Sequence, residues 1–347
     1  MAQWLSSDRT RVPACLSVAT LVAVLLMPRP SLAWGNTGHR EVSGLGMEAL
    51  PDEIPAFLRG ADAIRTVMDL GPEPDRSKTA GTEHDAELDP GHFVDLDDEG
   101  KVLGIVPISE LPPTRLAFDT ALRAGGATQY GAGYLPYNLV AGWQQVRKDF
   151  AYIRADLVGL RTAPTPEDRA YFRRDLEERR RLTIRDIGVW SHYVADSSQP
   201  LHVSVHFNGW GNFPNPDNFT NAGNTHSQFE GAFVRDFVTR EAIAAAIPPY
   251  RDCACTIEQR TEQYLTASLA EVIPFYWLAT RGAFLAADAE GAAFAAARLG
   301  AGAAELRDMI IDAWRASATW VVGFPLIKVE DIESGAVQLT RTSYASD

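Results

Sequence analysis

The chain has 347 residues, 46% of them hydrophobic, and a formal net charge of −13. That length suits one large domain or two ordinary ones, with a sizeable core. The acidic balance favours metal cations and argues against broad electrostatic capture of a phosphate backbone, although bound cations would reverse the sign locally.

Arg9 and Arg11 precede an apolar run at 14–27, and Ser31-Leu32-Ala33 sets small residues at a cleavage position. Residues 1–33 therefore read as a signal peptide cut before Trp34, which predicts a secreted or periplasmic protein. The alternative is an uncleaved anchor. The run is short for a bilayer span and no later stretch is long and apolar enough, so no stable membrane insertion is expected. Removing 1–33 leaves 29 basic against 44 acidic residues, a charge of −15.

Helical periodicity dominates the chain beyond Trp34. Residues 39–60 read as a helix ended by Pro51 and then a short one. Residues 141–162 carry apolar side chains at three- and four-residue spacing. Residues 166–196 read as a long helix opened by Pro166, Glu167 and Asp168, with Pro200 closing the segment. Further helices are expected over 256–285 and 292–322. The stretches 71–114, 124–138 and 207–225 are rich in Gly, Asn and Pro and read as loops, and the chain from Pro325 reads as an extended tail. The expected organisation is a signal peptide (1–33), one all-α domain with long loops (34–324) and a C-terminal tail (325–347), as a monomer. In the loop "DCACT", Cys253 and Cys255 read as a thiol pair or a strained bridge, and weakly as metal ligands. Asn218-Phe219-Thr220 fits the glycosylation acceptor pattern.

Chemistry concentrates around the seven histidines, His39, His84, His92, His192, His202, His206 and His226. His192 and Asp196 stand four apart, on one face of the long helix. A buried Asp there needs a partner. Pro200 stops the helix, and His202 comes at once after it, placed to return to the same pocket. His226 and Glu230 repeat the four-residue spacing. His92 sits among carboxylates, and Asp75 lies in the loop before it. Imidazole and carboxylate at helical i, i+4 spacing is how helices supply zinc ligands. One such pair is more often an ordinary hydrogen bond; two pairs and a third His are a stronger signal.

These motifs, from Trp34 to about Phe237, resemble the zinc-dependent superfamily of S1/P1-type nucleases and bacterial zinc phospholipases C. The resemblance implies an all-α fold around a cleft holding three Zn2+ ions per chain. It implies one ion on Asp75, His92, His192 and Asp196. A second would share Asp196 and take His39 with the freed α-amine and carbonyl of Trp34. A third would take His202, His226 and Glu230. Asp69 and Asp85 compete with Asp75 for its role. The implied activity is phosphodiester hydrolysis by a metal-activated water, with Asp75 able to orient that water. Lys78 or Arg76 could offset charge on the phosphate, or be solvated loop cations. Phe93 is expected to stack on a base and Asp95 to hydrogen-bond it, although Phe93 serves equally as a cleft wall.

The branch is mixed. The Trp34–His39 spacing and the gap from His202 to His226 are similar to the nucleases. "NFTN" and "HSQFEGAFV" are similar to the phospholipases, and Glu230 stands where nucleases usually carry Asp. The choline-binding aromatics of the best-known phospholipases are unmatched: Arg76 and Asp89 stand in their places. The loop "FNGWGNF" (207–213) adds aromatic residues near the ligands. The favoured expectation is a nuclease on single-stranded nucleic acid. The alternatives are a phospholipase C-like enzyme on phospholipids and a non-catalytic zinc-binding domain.

Overall fold

A computed structural model describes residues 34–344; the expected signal peptide and its cleavage site lie outside these residues, save for Trp34. The protein is mainly helical, with two short antiparallel hairpins.

Helices α1 (Asn36–Glu48), α2 (Ala56–Arg59), α3 (Ala61–Leu70), α4 (Glu73–Arg76) and α5 (Thr82–Leu88) lead into a 3₁₀ turn at Asp89–His92. Strands β1 (Lys101–Val102) and β2 (Val106–Pro107) pair next, and α6 (Arg115–Ala124) and α7 (Gln129–Ala132) come after them. Two long helices, α8 (Leu135–Thr162) and α9 (Pro166–Asp196), form the central pair. A 3₁₀ turn at Pro200–His202, the short α10 (Thr225–Ser227) and a π-helical segment at Gln228–Phe233 come next. Beyond them lie α11 (Val234–Phe237), α12 (Arg240–Ala245), α13 (Ile257–Leu269), α14 (Val272–Thr280) and α15 (Ala289–Ser317). Strands β3 (Val321–Val322) and β4 (Ile327–Lys328), helix α16 (Val329–Glu333) and a 3₁₀ turn at Arg341–Ser343 are the last elements of the described residues.

Helix α9 spans the expected 166–196. Thr165 caps it by accepting the Asp168 N–H, and Pro166 occupies the first turn, where its missing N–H costs nothing. Helix α8 starts six residues before the expected 141, because Pro136 sits in its first turn rather than in a loop. The close approach of α8 and α9 depends on glycine. A Cβ on Gly142 would lie 2.0 Å from the Trp190 ring, and one on Gly159 would lie 2.6 Å from that of Phe172. The expected helix 256–285 is two helices, α13 and α14, separated at Ala270-Glu271. Pro274 falls in the first turn of α14, the place that tolerates it. The stretch 71–114 is not all loop, since it holds α4, α5 and the first hairpin. The segment from Pro325 is not an extended tail. It forms β4 and α16, and Val329, Ile332 and Leu339 bury themselves with Phe172, Ala151 and Ala155.

Two larger apolar clusters position the site. One gathers around α8 and includes Val194 and Val203; the other gathers around Trp34, Phe229, Phe275 and Tyr276 and includes Ala195 and Leu201. Asp196 and His202 stand between these alternating neighbours, so the polar residues line the seam of two apolar cores. No helix among the described residues is long and apolar enough to cross a membrane.

Candidate metal centre

Five separated segments deliver the polar side chains. Helix α1 brings His39, α4 brings Asp75, the 3₁₀ turn after α5 brings His92, and the C-terminal end of α9 with the turn after Pro200 brings His192, Asp196 and His202. The fifth segment, α10 with the π stretch, brings His226 and Glu230. His39, His192 and Asp196 are fully buried, and His92, His202, His226 and Glu230 are nearly so.

Three groups result whose ligand atoms lie within 4.8 Å of one another: His39, His192 and Asp196; Asp75, His92 and His192; His202, His226 and Glu230. Asp196 faces two ways. Its Oδ2 lies 3.2 Å from both His92 Nδ1 and His192 Nε2, while Oδ1 lies 3.5 Å from His39 Nε2 and 3.8 Å from His202 Nδ1. Asp75 approaches His39, His92 and His192 at 3.9–4.0 Å. His226 Nε2 sits 2.7 Å from Glu230 Oε2, and His202 Nε2 sits 3.7 Å from it. The grouping differs from the expected one in two ways: His192, rather than Asp196, belongs to two groups, and Asp196 falls only in the group with His39.

The imidazoles are oriented from behind. His192 Nδ1 meets the Gly71 carbonyl at 2.9 Å, and His202 Nδ1 meets the His92 carbonyl at 2.7 Å. A proton on each Nδ1 leaves the Nε2 lone pair turned inward, the arrangement that metal-binding histidines use. His39 Nδ1 and Nε2, His202 Nε2 and Asp196 Oδ1 are buried with no hydrogen-bond partner. Unpaired buried acceptors are costly. A divalent cation satisfies several of them at once, and neutral imidazole with carboxylate suits zinc. The residues present therefore fit a metal ion.

The electrostatics favour ligand-competent forms, neutral imidazoles at His39 and His92 and ionised carboxylates at Asp196 and Glu230. Burial, reinforced by His192, drives the His39 pKa well below the ordinary imidazole range despite Asp196. Burial likewise lowers His92, against the hydrogen bond with Asp196. Burial alone would raise the Asp196 carboxyl, but His192 and His202 hold it well below the carboxylate range. Glu230 is lowered too, because His226 and His202 outweigh its burial. For His202 burial acts downward, yet Asp196 and Glu230 raise it to about 9.

Among the competing acids, Asp69 is paired with Arg40, and Asp85 accepts the Thr79 N–H, so Asp75 is the one that reaches the imidazoles. Lys78 Nζ lies 2.6 Å from Asp75 Oδ1 and stays at the cluster. Arg76 does not: it turns to the Asp69 carbonyl and the Glu73 carboxylate, half-exposed. Trp34 buries its indole completely and donates Nε1–H to the Ala195 carbonyl at 2.8 Å. Its carbonyl receives the His39 N–H at 3.3 Å. Phe93 is half-buried, and Gly133, at φ +76°, packs so tightly on the Phe93 carbonyl that a Cβ would lie 2.1 Å from it. Burial pushes the Asp95 carboxyl up to about 7, with His202 pulling the other way. His84 is exposed beside Asp85 and outside the groups.

Two residues escaped the sequence reading. Gln199 donates Nε2–H to Glu230 at 3.3 Å and accepts the Leu201 N–H at 2.7 Å, tying the third group to the turn that carries His202. Its place beside Pro200 was the available signal. His206 stacks on Trp210 at 3.7 Å and contacts the Trp210 carbonyl and Asp98, fixing the 207–213 loop. Trp210 is therefore core, whereas Phe207 and Phe213 are exposed. Cys253 and Cys255 form a disulfide. The chain matches no protein-family model, and no curated protein sequence is significantly similar to it.

Proposed function

We propose that the protein is a secreted zinc-dependent phosphodiesterase of the S1/P1 nuclease and phospholipase C type, acting on single-stranded nucleic acid. One observation carries this reading: eight imidazole and carboxylate side chains from five segments converge in a buried seam, where His39 Nε2 and Asp196 Oδ1 have no hydrogen-bond partner. Asp75, His92, His192 and Asp196 would hold one zinc ion. His39 and Asp196, with the terminal amine and carbonyl of a processed Trp34, would hold a second. His202, His226 and Glu230 would hold the third. Bound zinc supplies Lewis-acid polarisation of a phosphoryl oxygen and an acidified water.

The chain's own groups perform the remaining tasks. Asp75 orients the attacking water at the edge of the cluster, where it is less enclosed than Asp196. Lys78, held by Asp75, offsets negative charge gathering on the phosphate. Asp95, with its pKa near 7, carries a proton for part of the time at neutral pH and can donate as well as accept toward a base edge. Phe93 supplies a half-buried ring beside it.

A second reading has its own support. Phe207 and Phe213 are exposed on the loop beside the cluster, and α14 exposes Ile273 and Trp277. Phe219 packs on Trp277 at 5.0 Å, which joins the loop to that helix. This apolar surface favours phospholipid. The deciding experiment is a parallel assay on single-stranded DNA or RNA and on phospholipid vesicles, with metal analysis of the processed protein. Close to three zinc per chain and cleavage of nucleic acid are expected. One zinc or none sinks the centre, and activity on lipid alone moves the protein to the phospholipase branch.

A further inference from the structure

A cavity of about 550 Å³ opens between α8, the disulfide loop before α13 and the last turns of α15. None of its lining residues is a ligand of the metal groups. On its α8 wall, Trp143 Nε1 and Arg147 Nε are buried donors without a hydrogen-bond partner. They lie one turn apart on the same helical face, and Trp143 is only 8% exposed.

The guanidinium carbon of Arg147 lies 3.5 Å from the centroid of the Trp320 ring and 4.8 Å from that of Trp143. At 3.5 Å the group must lie flat on the Trp320 face, which leaves its N–H fork pointing outward in its own plane. No carboxylate among the described residues forms an ion pair with it. The other arginines of the wall are occupied: Arg260 by Glu305, Asp308 and Asp312, and Arg315 by Glu53. A buried Nε–H without an acceptor is costly.

We infer that this cavity binds a small organic carboxylate, held in the plane of the Arg147 guanidinium beside the Trp143 N–H. The wall also carries Asp252 and Glu258 beside the Arg260-paired Asp312, so a doubly charged phosphate would meet more repulsion than a single charge. A singly charged, planar carboxylate matches the fork with less repulsion. Tyr250 and Ile257 offer contact to an apolar body, and the volume falls in the range of small-molecule sites.

The test is calorimetric titration of phenylacetate into the zinc-loaded protein and into the Arg147→Gln and Trp143→Phe variants, with inorganic phosphate as a second arm. Saturable phenylacetate binding is expected, weakened roughly tenfold or more in Arg147→Gln. Trp143→Phe keeps the ring and should weaken it several-fold. Phosphate binding, wherever it occurs, should not depend on Arg147. The inference is overturned by absence of saturable binding up to roughly 10 mM, or by an Arg147→Gln variant that titrates like the parent. The latter result would place the carboxylate at the metal groups. Equal dependence of phosphate on Arg147 would also overturn the carboxylate assignment. Should Arg147→Gln fail to fold, unchanged affinity in Trp143→Phe decides against the site.

Discussion

Two buried charged regions can be set side by side. In the first, Arg260 is enclosed between α13 and α15, and every nitrogen of its guanidinium is used. Nε meets Glu305 at 2.6 Å, Nη2 meets Asp308 at 3.2 Å, and Nη1 meets Asp312 at 3.0 Å and the Arg251 carbonyl at 3.3 Å. In the second, the imidazoles around Asp196 are as deeply buried, yet the inward nitrogens of His39 and His202 have no hydrogen-bond partner. Both regions concentrate charge away from water. Only the first pairs each of its guanidinium nitrogens; the second leaves His39 and Asp196 atoms without a hydrogen-bond partner. Burial of charge is thus a poor guide to function by itself, and the balance of donors against lone pairs separates a structural network from a binding site.

The contrast breaks most sharply at Asp196. Asp196→Asn should lower phosphodiesterase activity by about a thousandfold, since cation binding is expected to contribute several kcal/mol at roughly tenfold per 1.4 kcal/mol. Zinc content should fall in parallel. An active, fully loaded variant would place the chemistry elsewhere. The opposite outcome is expected for Arg260→Met, which strands Glu305 without its paired cation, while Asp308 keeps Arg307. It should cost about 3–5 kcal/mol of stability by thermal or chemical unfolding. The folded fraction should still bind its full metal complement. Loss of metal without loss of stability would erase the distinction between the two regions.

Gln199→Met sharpens the comparison, because Gln199 belongs to the support of the site and touches no expected substrate position. Metal affinity at the third group should drop by about 10–100-fold, read by competition with a chelating dye, and parent-like affinity would reduce Gln199 to a turn residue. The smallest effect is expected from pH on the metal-free protein. The folded pKa of His202, about 9, exceeds its ordinary value of 6.5. Its stabilising contribution is therefore complete below pH 6.5 and is lost as pH rises through 9. The metal-free parent should lose a few degrees of Tm across that window relative to His202→Gln, while zinc affinity tightens as the same proton leaves. A slope of opposite sign would contradict the charge environment given to His202.

Much of this was legible in the sequence, for local reasons. The bounds of α9 stem from Pro166 and from Pro200 just beyond its end, and both i, i+4 ligand pairs stem from helix geometry. The break between α13 and α14 was less visible because apolar spacing runs through it, although Pro274 marked a new first turn. Arg76 could not be placed from sequence, since the single turn of α4 decides whether it or Lys78 faces Asp75. The sharing of His192 between two groups is a product of tertiary approach, as His39 stacks on its ring at 3.8 Å. The C-terminal segment was misread because Val329, Ile332 and Leu339 are too sparse to signal burial until α8 and α9 supply their partners.

The π-helical stretch at Gln228–Phe233 has a consequence for how the site could arise or be lost. Such a segment holds one residue more than an α-helix of the same rise would need. Each residue turns an α-helix by about 100°. Deleting one residue after Glu230 would let the stretch relax to α-helix and leave Val234 on the apolar core it shares with Trp34. Deleting one before it would swing the carboxylate away from His226. The third group is thus keyed to the register between His226 and Glu230, where a single codon lost, without any change of residue type, alters the ligand set, whereas one lost beyond Glu230 does not.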